Sequence, residues 1–367
     1  MSKAAELANL IGNINAGGGG VNRNIIINGA MNVAQRSTSE TGKGDADGYF
    51  TLDRFAINTG ASSAGRFTMS QDSSAPSGFA NSLKLDCTTA DTSIASGEIL
   101  QLIQKIEGQN LQAFAKGTSD AKPFAVSFYV KGNASATYVC ELFDSDNSRQ
   151  VSKTFNVTTD WTRVELTFPA DTTGAFDDDN GASLELAIIL HGGSDFTSGT
   201  LNSSGFASNT NANRAVGISS FFDSTDRTFF ITGVQLEVGQ NPTEFEHEPF
   251  DVTLRKCHRY FEKQIYQGGS YVHVGYFYTT SGCRSVLKYK RKRAVPSFTF
   301  NNQGNVIIYH SGNNDDVPSL SYHDHSTDYA RITIGLSGET TTAGYAGAVY
   351  NDAASGTTYD IKIDAEL

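Results

Sequence analysis

Apolar and polar residues alternate with a period of two along much of the chain, and this pattern predicts strands. Phe124, Val126, Phe128 and Val130 share one face, with Ser127 and Tyr129 opposite. Val164, Leu166 and Phe168 form an inner row behind Trp161, and Leu184, Leu186, Ile188 and Leu190 form another. Further on, Val272, Val274 and Tyr276 alternate with His273 and Gly275. The last strand, Tyr359, Ile361, Ile363, Ala365 and Leu367, alternates with Asp360, Lys362, Asp364 and Glu366. Two sheets packed face to face need rows like the first three, at Phe124, Val164 and Leu184.

The segment Thr228–Phe261 marks a boundary. It begins as a strand with Phe230, Val234, Leu236 and Val238 on one face and Gln235 and Glu237 on the other. Gly239 and Pro242 stop it, and Leu254, Cys257 and Phe261 then have the spacing of one short helical stripe. Outside this junction, helical periodicity is confined to Ser2–Ile14, where Ala4, Leu7, Ile11 and Ile14 make a two-heptad stripe. Ser2 is placed to cap that helix, and Glu6 lies near its positive end. So short a helix is marginal alone in water, which predicts a docking or self-associating element. Gly17–Gly20 would tether it to the body. The Gly-, Ser- and Asn-rich stretch His191–Asn213 predicts a long surface loop. The organisation is therefore a helix and tether (1–20), a first β-domain (21–250) and a second (251–367).

Composition sharpens the class. Of 367 residues, 18% are charged and 36 are glycine, a mix that suits short strands joined by turns and disfavours long helices. A net charge of −11 disfavours nucleic-acid binding. Cys87, Cys140, Cys257 and Cys283 are too scattered for a disulfide framework or a metal set and predict free buried thiols. No signal peptide precedes Ser2 and no apolar run is long enough to span a bilayer, so assembly in a reducing cytoplasm is expected.

Several motifs carry a family resemblance. VQLEVGQNPTEFEHEPF followed by LRKCHRYFEK resembles the junction in bacteriophage tail-fibre and virion-surface proteins, where a carbohydrate-binding-module-like jelly roll hands over to a small C-terminal β-domain. Asn28-Gly29, Gln35-Arg36 and Asp53-Arg54-Phe55 resemble the opening of those modules, with Phe55 where Trp is usual. FAVSFYVKG and TFNVTTDWTRVELTF resemble their middle, and YKRKRAVPSFTF and the closing Asp364-Ala365-Glu366-Leu367 resemble the C-terminal domain. The resemblance implies an all-β chain, a jelly-roll β-sandwich followed by a smaller β-sandwich behind the docking or trimerisation helix. It further implies a homotrimeric virion appendage, joined to other tail or capsid proteins through that helix and attached non-enzymatically to host surface polysaccharide. The main alternative is a decoration or adaptor protein without a glycan ligand; a depolymerising tailspike is a third reading.

Candidate chemistry is sparse. Sugar rings stack on aromatic faces while planar polar groups bind their hydroxyls; Trp161, Tyr129 and Tyr138, with Arg163 beside Trp161, are the candidates for that role. Paired carboxylates for glycoside hydrolysis are not evident, nor is a nucleophile elbow or phosphate loop. Asp177-Asp178-Asp179-Asn180 is an acidic turn with calcium-type oxygens. His323 and His325, two apart on a strand, would share one side and could supply imidazoles to a metal in a threefold assembly. Neither is taken as a metal site, and no cofactor is expected. Lys288–Arg293, read as a strand, alternates its charges between faces, as on a solvated edge guarded against strand addition, or one meeting acidic polysaccharide.

Overall fold

The computed structural model describes residues 2–15, 22–60, 63–310, 313–336, 341–353 and 357–367. Two compact units divide the chain, Met1–Leu254 with Leu367, and Arg255–Glu366. Helix α1 (Lys3–Asn15) comes first in sequence, with the Ser2 hydroxyl accepting from Ala5 N–H at 3.3 Å. Its Leu7 and Ile11 are 57% and 49% exposed. The Gly17–Gly20 tether, Val21 and the side chain of Ile14 lie outside the described residues.

The first unit contains strands β1 (Ser39–Lys43), β2 (Ala56–Thr59), β3 (Arg66–Asp72), β4 (Ser82–Thr89), β5 (Ile99–Glu107), β6 (Phe124–Gly132), β7 (Ala136–Asp144), β8 (Arg149–Val157), β9 (Thr162–Phe168), β10 (Ala182–Gly192), β11 (Ala207–Ser208) and β12 (Thr228–Val238). Among the described residues they form two six-stranded sheets, β1-β3-β4-β12-β6-β9 and β11-β8-β7-β10-β5-β2. The inward rows read from the sequence meet between them: Phe124, Val126, Phe128 and Val130 from one sheet and Leu184, Leu186, Ile188 and Leu190 from the other are at most 1% exposed. This is a jelly-roll sandwich.

Strand β12 departs from the simple alternation. Its pairing with β6 shifts between Thr232 and Gln235, where Gly233 adopts φ +63°. The extra residue of a bulge reverses the phase. Phe229 and Ile231 therefore enter the core with Val234 and Leu236, and Phe230, expected inside, faces outward.

The opening motif is a staple. The Asn28 amide donates to the Val33 carbonyl at 2.8 Å and the Asp53 carbonyl at 3.1 Å, and its oxygen accepts from the N–H groups of Asn32 and Val33. Asp53 in turn accepts from Gln35 N–H at 2.8 Å, and the buried Arg54 reaches the Lys105 carbonyl at 2.6 Å. These residues pin the first segment against the sandwich.

The excursion after β10 is less free than its composition suggests. His191 belongs to β10, and a short helix α2 (Ser194–Thr197) follows. Phe196, Leu201, Ala215 and Ile218 pack on Ile99, Val139 and Ile189, covering part of the outer face of the second sheet. Isolated apolar residues among Gly and Ser suffice for this, which a count of large apolar residues overlooks.

Helix α3 (Phe250–His258) covers the boundary between the units in sequence. Cys257 lies on its buried side, but Phe261 already opens the next strand rather than extending the helical stripe. The second unit contains β13 (Phe261–Gln267), β14 (Tyr271–Phe277), β15 (Gly282–Lys288), β16 (Ser297–Asn301), β17 (Val306–His310), β18 (Asn313–Asp316), β19 (Ser319–His323), β20 (Tyr329–Gly335), β21 (Ala346–Asn351) and β22 (Thr358–Asp364). Among the described residues these make a three-stranded sheet, β13-β22-β16, and a seven-stranded sheet, β18-β17-β21-β14-β15-β20-β19. Tyr359, Ile361 and Ile363 of β22 share a core with Phe277, Ile308, Ile332 and Val349. The unit is thus a second, smaller sandwich.

Two readings change here. Lys288–Arg293 is not a strand, because β15 ends at Lys288. Lys292 is buried, donating to the His258 carbonyl at 2.6 Å and to Glu262 at 3.0 Å, while Arg293 holds the carbonyls of Ala365 and Glu366, each at 2.7 Å. His323 and His325 do not share a strand face either. The strand β19 ends at His323, and Asp324, at φ +42°, turns the chain and pairs with Arg331 at 2.8 Å.

Candidate functional site

The residues singled out from the sequence fall into three different settings. Tyr138 is 1% exposed, wedged between Phe155 and Phe229 in the core. Burial pushes its phenol far up, and its hydroxyl has no hydrogen-bond partner among the described residues. It shares the inward face of β7 with Cys140 and Leu142, so the sandwich closes it off from any ligand.

Tyr129 and Arg163 are cross-strand neighbours on the outer face of the first sheet. Arg163 is engaged there: it donates to the Thr243 carbonyl and pairs with Glu165 at 2.5 Å and Glu244 at 3.3 Å. Tyr129 packs on Phe79 at 5.4 Å, and Phe79 on Phe245 and His247, each at 5.0 Å. Together they fasten the segment after β12 to the sheet. Trp161 stands elsewhere on that face, half-buried, 6.1 Å from Phe230 in an edge-to-face pair. Lys84 and Lys131 flank Phe230 in register, their ammonium groups 5.6 and 6.0 Å from its ring. Lys84 is itself paired with Asp86 at 2.9 Å.

A better-formed surface lies on the outer face of the second sheet, beside the part covered by the excursion. Its floor is Ala56, Ile103 and Ala187, with Tyr49 packed against them. The registers Ala56 to Ile103, Ile103 to Ala187 and Ala187 to Glu141 set these residues in one line across β2, β5, β10 and β7. The next line holds Lys105, Glu185 and Phe143. Neighbouring strands are about 4.8 Å apart, so the strip is about 14 Å long. Tyr49 stands at one end and Phe143 at the other.

Planar polar groups border the strip. Asn58 donates to Gln101 at 2.9 Å, and Asp47, Asn58, Lys105 and Glu185 line the groove beside Tyr49. Arg214, from the excursion, grips the buried Glu141 at 2.6 Å and lies 5.3 Å over the Phe143 ring. Burial opposes the charge on Arg214, yet the Glu141 contacts overcome it and hold the guanidinium pKa up. Glu185 is the opposite case: burial raises its carboxyl in spite of Lys105 and Arg214. The floor residues are only 1–5% exposed, and a ring at each end with fixed amides and charges along the rim suits a flat polyhydroxylated ligand. Phe143 was within reach of sequence reasoning, since it has the opposite phase to Tyr138, Cys140 and Leu142; Tyr49 sits in a loop and gave no periodic signal.

Other clusters are structural. His191 contacts Glu98 at 3.0 Å and Ser220 at 2.8 Å, the order of a hydrolytic triad. However, the Ser220 oxygen accepts from Phe222 N–H and caps a turn, and His191 and Glu98 are buried. In the acidic turn, Asp179 accepts from Gly181 N–H. Among the described residues, no three His, Cys, Asp or Glu side chains gather as metal ligands, and no helix is long and apolar enough to cross a membrane. All four cysteines are buried and lie outside any disulfide.

No family model matches the chain, and no curated protein matches it. Among solved structures it is similar to the enzymatically active domain of bacteriophage CBA120 tailspike protein 4 (TM-score 0.30, 12% identity, 59% of this chain and 21% of that one). It thus spans 21% of that chain's length. It is also similar to the family 11 carbohydrate-binding module of a Clostridium thermocellum cellulosomal cellulase (0.27, 11%, 57% and 100%). A third likeness is to TmCBM61 in complex with β-1,4-galactotriose (0.30, 8%, 59% and 99%).

Proposed function

We propose that the first unit binds a glycan laid across the outer face of its second sheet, between Tyr49 and Phe143. The observation that carries this reading is the strip itself: an apolar floor of two alanines and an isoleucine with a ring at either end and planar polar side chains along its borders. In that setting the protein is a bacteriophage virion appendage of the tail-fibre kind, as its sequence motifs suggest. It works without cleaving its ligand, and several copies on one particle raise weak sites to useful avidity. Helix α1, with Leu7 and Ile11 exposed, is the end that joins the particle.

Incubating the protein with host cells and extracted surface polysaccharide, and measuring retention and reducing-end release, tests this. Retention without release is expected, and Tyr49→Ala should weaken it. Release of reducing ends would make the protein a depolymerase, and neither retention nor release would leave a decoration or adaptor role.

A further inference from the structure

Among the described residues, much of the outward face of the seven-stranded sheet in the second unit is exposed. Val274 is 70% exposed, Val286 58%, Tyr271 65% and Tyr276 53%, all on the side away from the core, with Tyr309 on the same side. Soluble monomers seldom display so many large apolar groups together. Tyr309, Tyr350 and Tyr271 run across β17, β21 and β14 with centroids 5.4 and 5.3 Å apart, but their planes meet at 62° and 66°. Tilted rings interleaved with valines do not make the flat platform a sugar needs. They match the packing of a protein interface, which is rich in tyrosine and apolar at its centre.

Charge along this face points to the occupant. The registers place Asp316 beside Ile307 at the β18 edge, and Arg331 next to Val286 towards the other edge. Arg284, also on β15, lies one row away beside Tyr276. Arg331 is already paired with Asp324, whereas Asp316 has no ion-pair partner among the described residues. Turning one copy about an axis parallel to the strands brings the Asp316 edge of one sheet over the Arg331 side of the other, and the apolar centres together. Such a contact is isologous, with each copy offering the same face to the other. We propose that this face is the interface between copies of the chain. Self-association is thereby assigned to the seven-stranded sheet and not to α1, independently of what the first unit binds.

Sedimentation equilibrium of the full chain at micromolar concentration tests the assignment. A multimer is expected, and Val274→Asp with Val286→Asp should yield monomer with an unchanged circular dichroism spectrum. Tyr276→Ser provides a milder lesion of the same face if the aspartates impair folding. Asp316→Arg should weaken association about tenfold and adding Arg331→Asp should restore it, a coupling of about 1.4 kcal/mol. A monomeric parent overturns the proposal, as does a multimer that survives the valine changes but dissociates with Leu7→Asp and Ile11→Asp. Uncoupled charge reversals overturn the strand-parallel axis.

Discussion

Lys292 Nζ lies 3.0 Å from Glu262 Oε2, and both side chains are shut away from solvent. Glu262 also accepts from Lys290 N–H at 2.8 Å. Burial by itself would raise this carboxyl, but Lys292 and the hydrogen bonds outweigh it and hold the pKa below the usual range. Lys292→Met strands the carboxylate and is expected to destabilise the second unit by about 3–5 kcal/mol. Adding Glu262→Leu should recover much of that loss. Urea unfolding followed by near-ultraviolet circular dichroism measures both.

Acid should loosen the second unit through His273. Burial lowers its pKa from 6.5 to about 4, so the folded state disfavours the proton that the unfolded chain takes up. The His273 contribution to stability is therefore constant above about pH 6.5, falls as pH decreases, and levels off below about pH 4. The total change for a shift of this size is about 3 kcal/mol. His273→Leu should remove its own part of this limb, leaving the part due to His258, whose pKa burial also lowers, and the loss due to Glu262, whose depressed carboxyl stabilises above the unfolded value of 4.5 and less below it.

Asn28→Ala removes four side-chain hydrogen bonds at a residue whose φ is +63°. A cost of about 3 kcal/mol is expected for the first unit. Asn28→Gly should cost less, because glycine relieves the backbone while losing the same bonds. Fluorescence of Trp161, the single tryptophan, reports this unfolding selectively.

The two outer faces of the jelly roll should respond differently to mutation. Tyr49→Ala or Phe143→Ala is expected to weaken glycan retention about tenfold, the loss of one stacked ring being worth about 1.4 kcal/mol. Trp161→Ala should leave retention within about twofold. Affinity electrophoresis in host polysaccharide compares the three, and a large loss confined to Trp161→Ala would move the site to the first sheet.

Much of the fold was legible in the chain, because half-buried strands write their period directly into sequence: the rows around Phe128 and Ile188 entered the core as read. The errors share a cause. Phe230 was misplaced because a single bulge at Gly233 reverses every later side chain, and period counting does not register an inserted residue. Lys292 looked solvated because ordinary lysines are, and only the fold brings Glu262 and the His258 carbonyl to it. The candidate site was harder still. Its floor residues, Ala56, Ile103 and Ala187, come from three strands that pairing alone makes neighbours, and Tyr49 belongs to a loop.

Strand β22 occupies the middle of its sheet, between β13 and β16, although both neighbours precede it in the chain by many residues. During synthesis β13 and β16 therefore emerge with nothing to pair with, each showing an open edge until the intervening strands have passed. Contacts this distant in sequence close slowly, and open edges invite the wrong partner. The second unit is thus the vulnerable stage of biogenesis, and slowing translation upstream of Thr358 should raise the aggregated fraction while sparing the first unit.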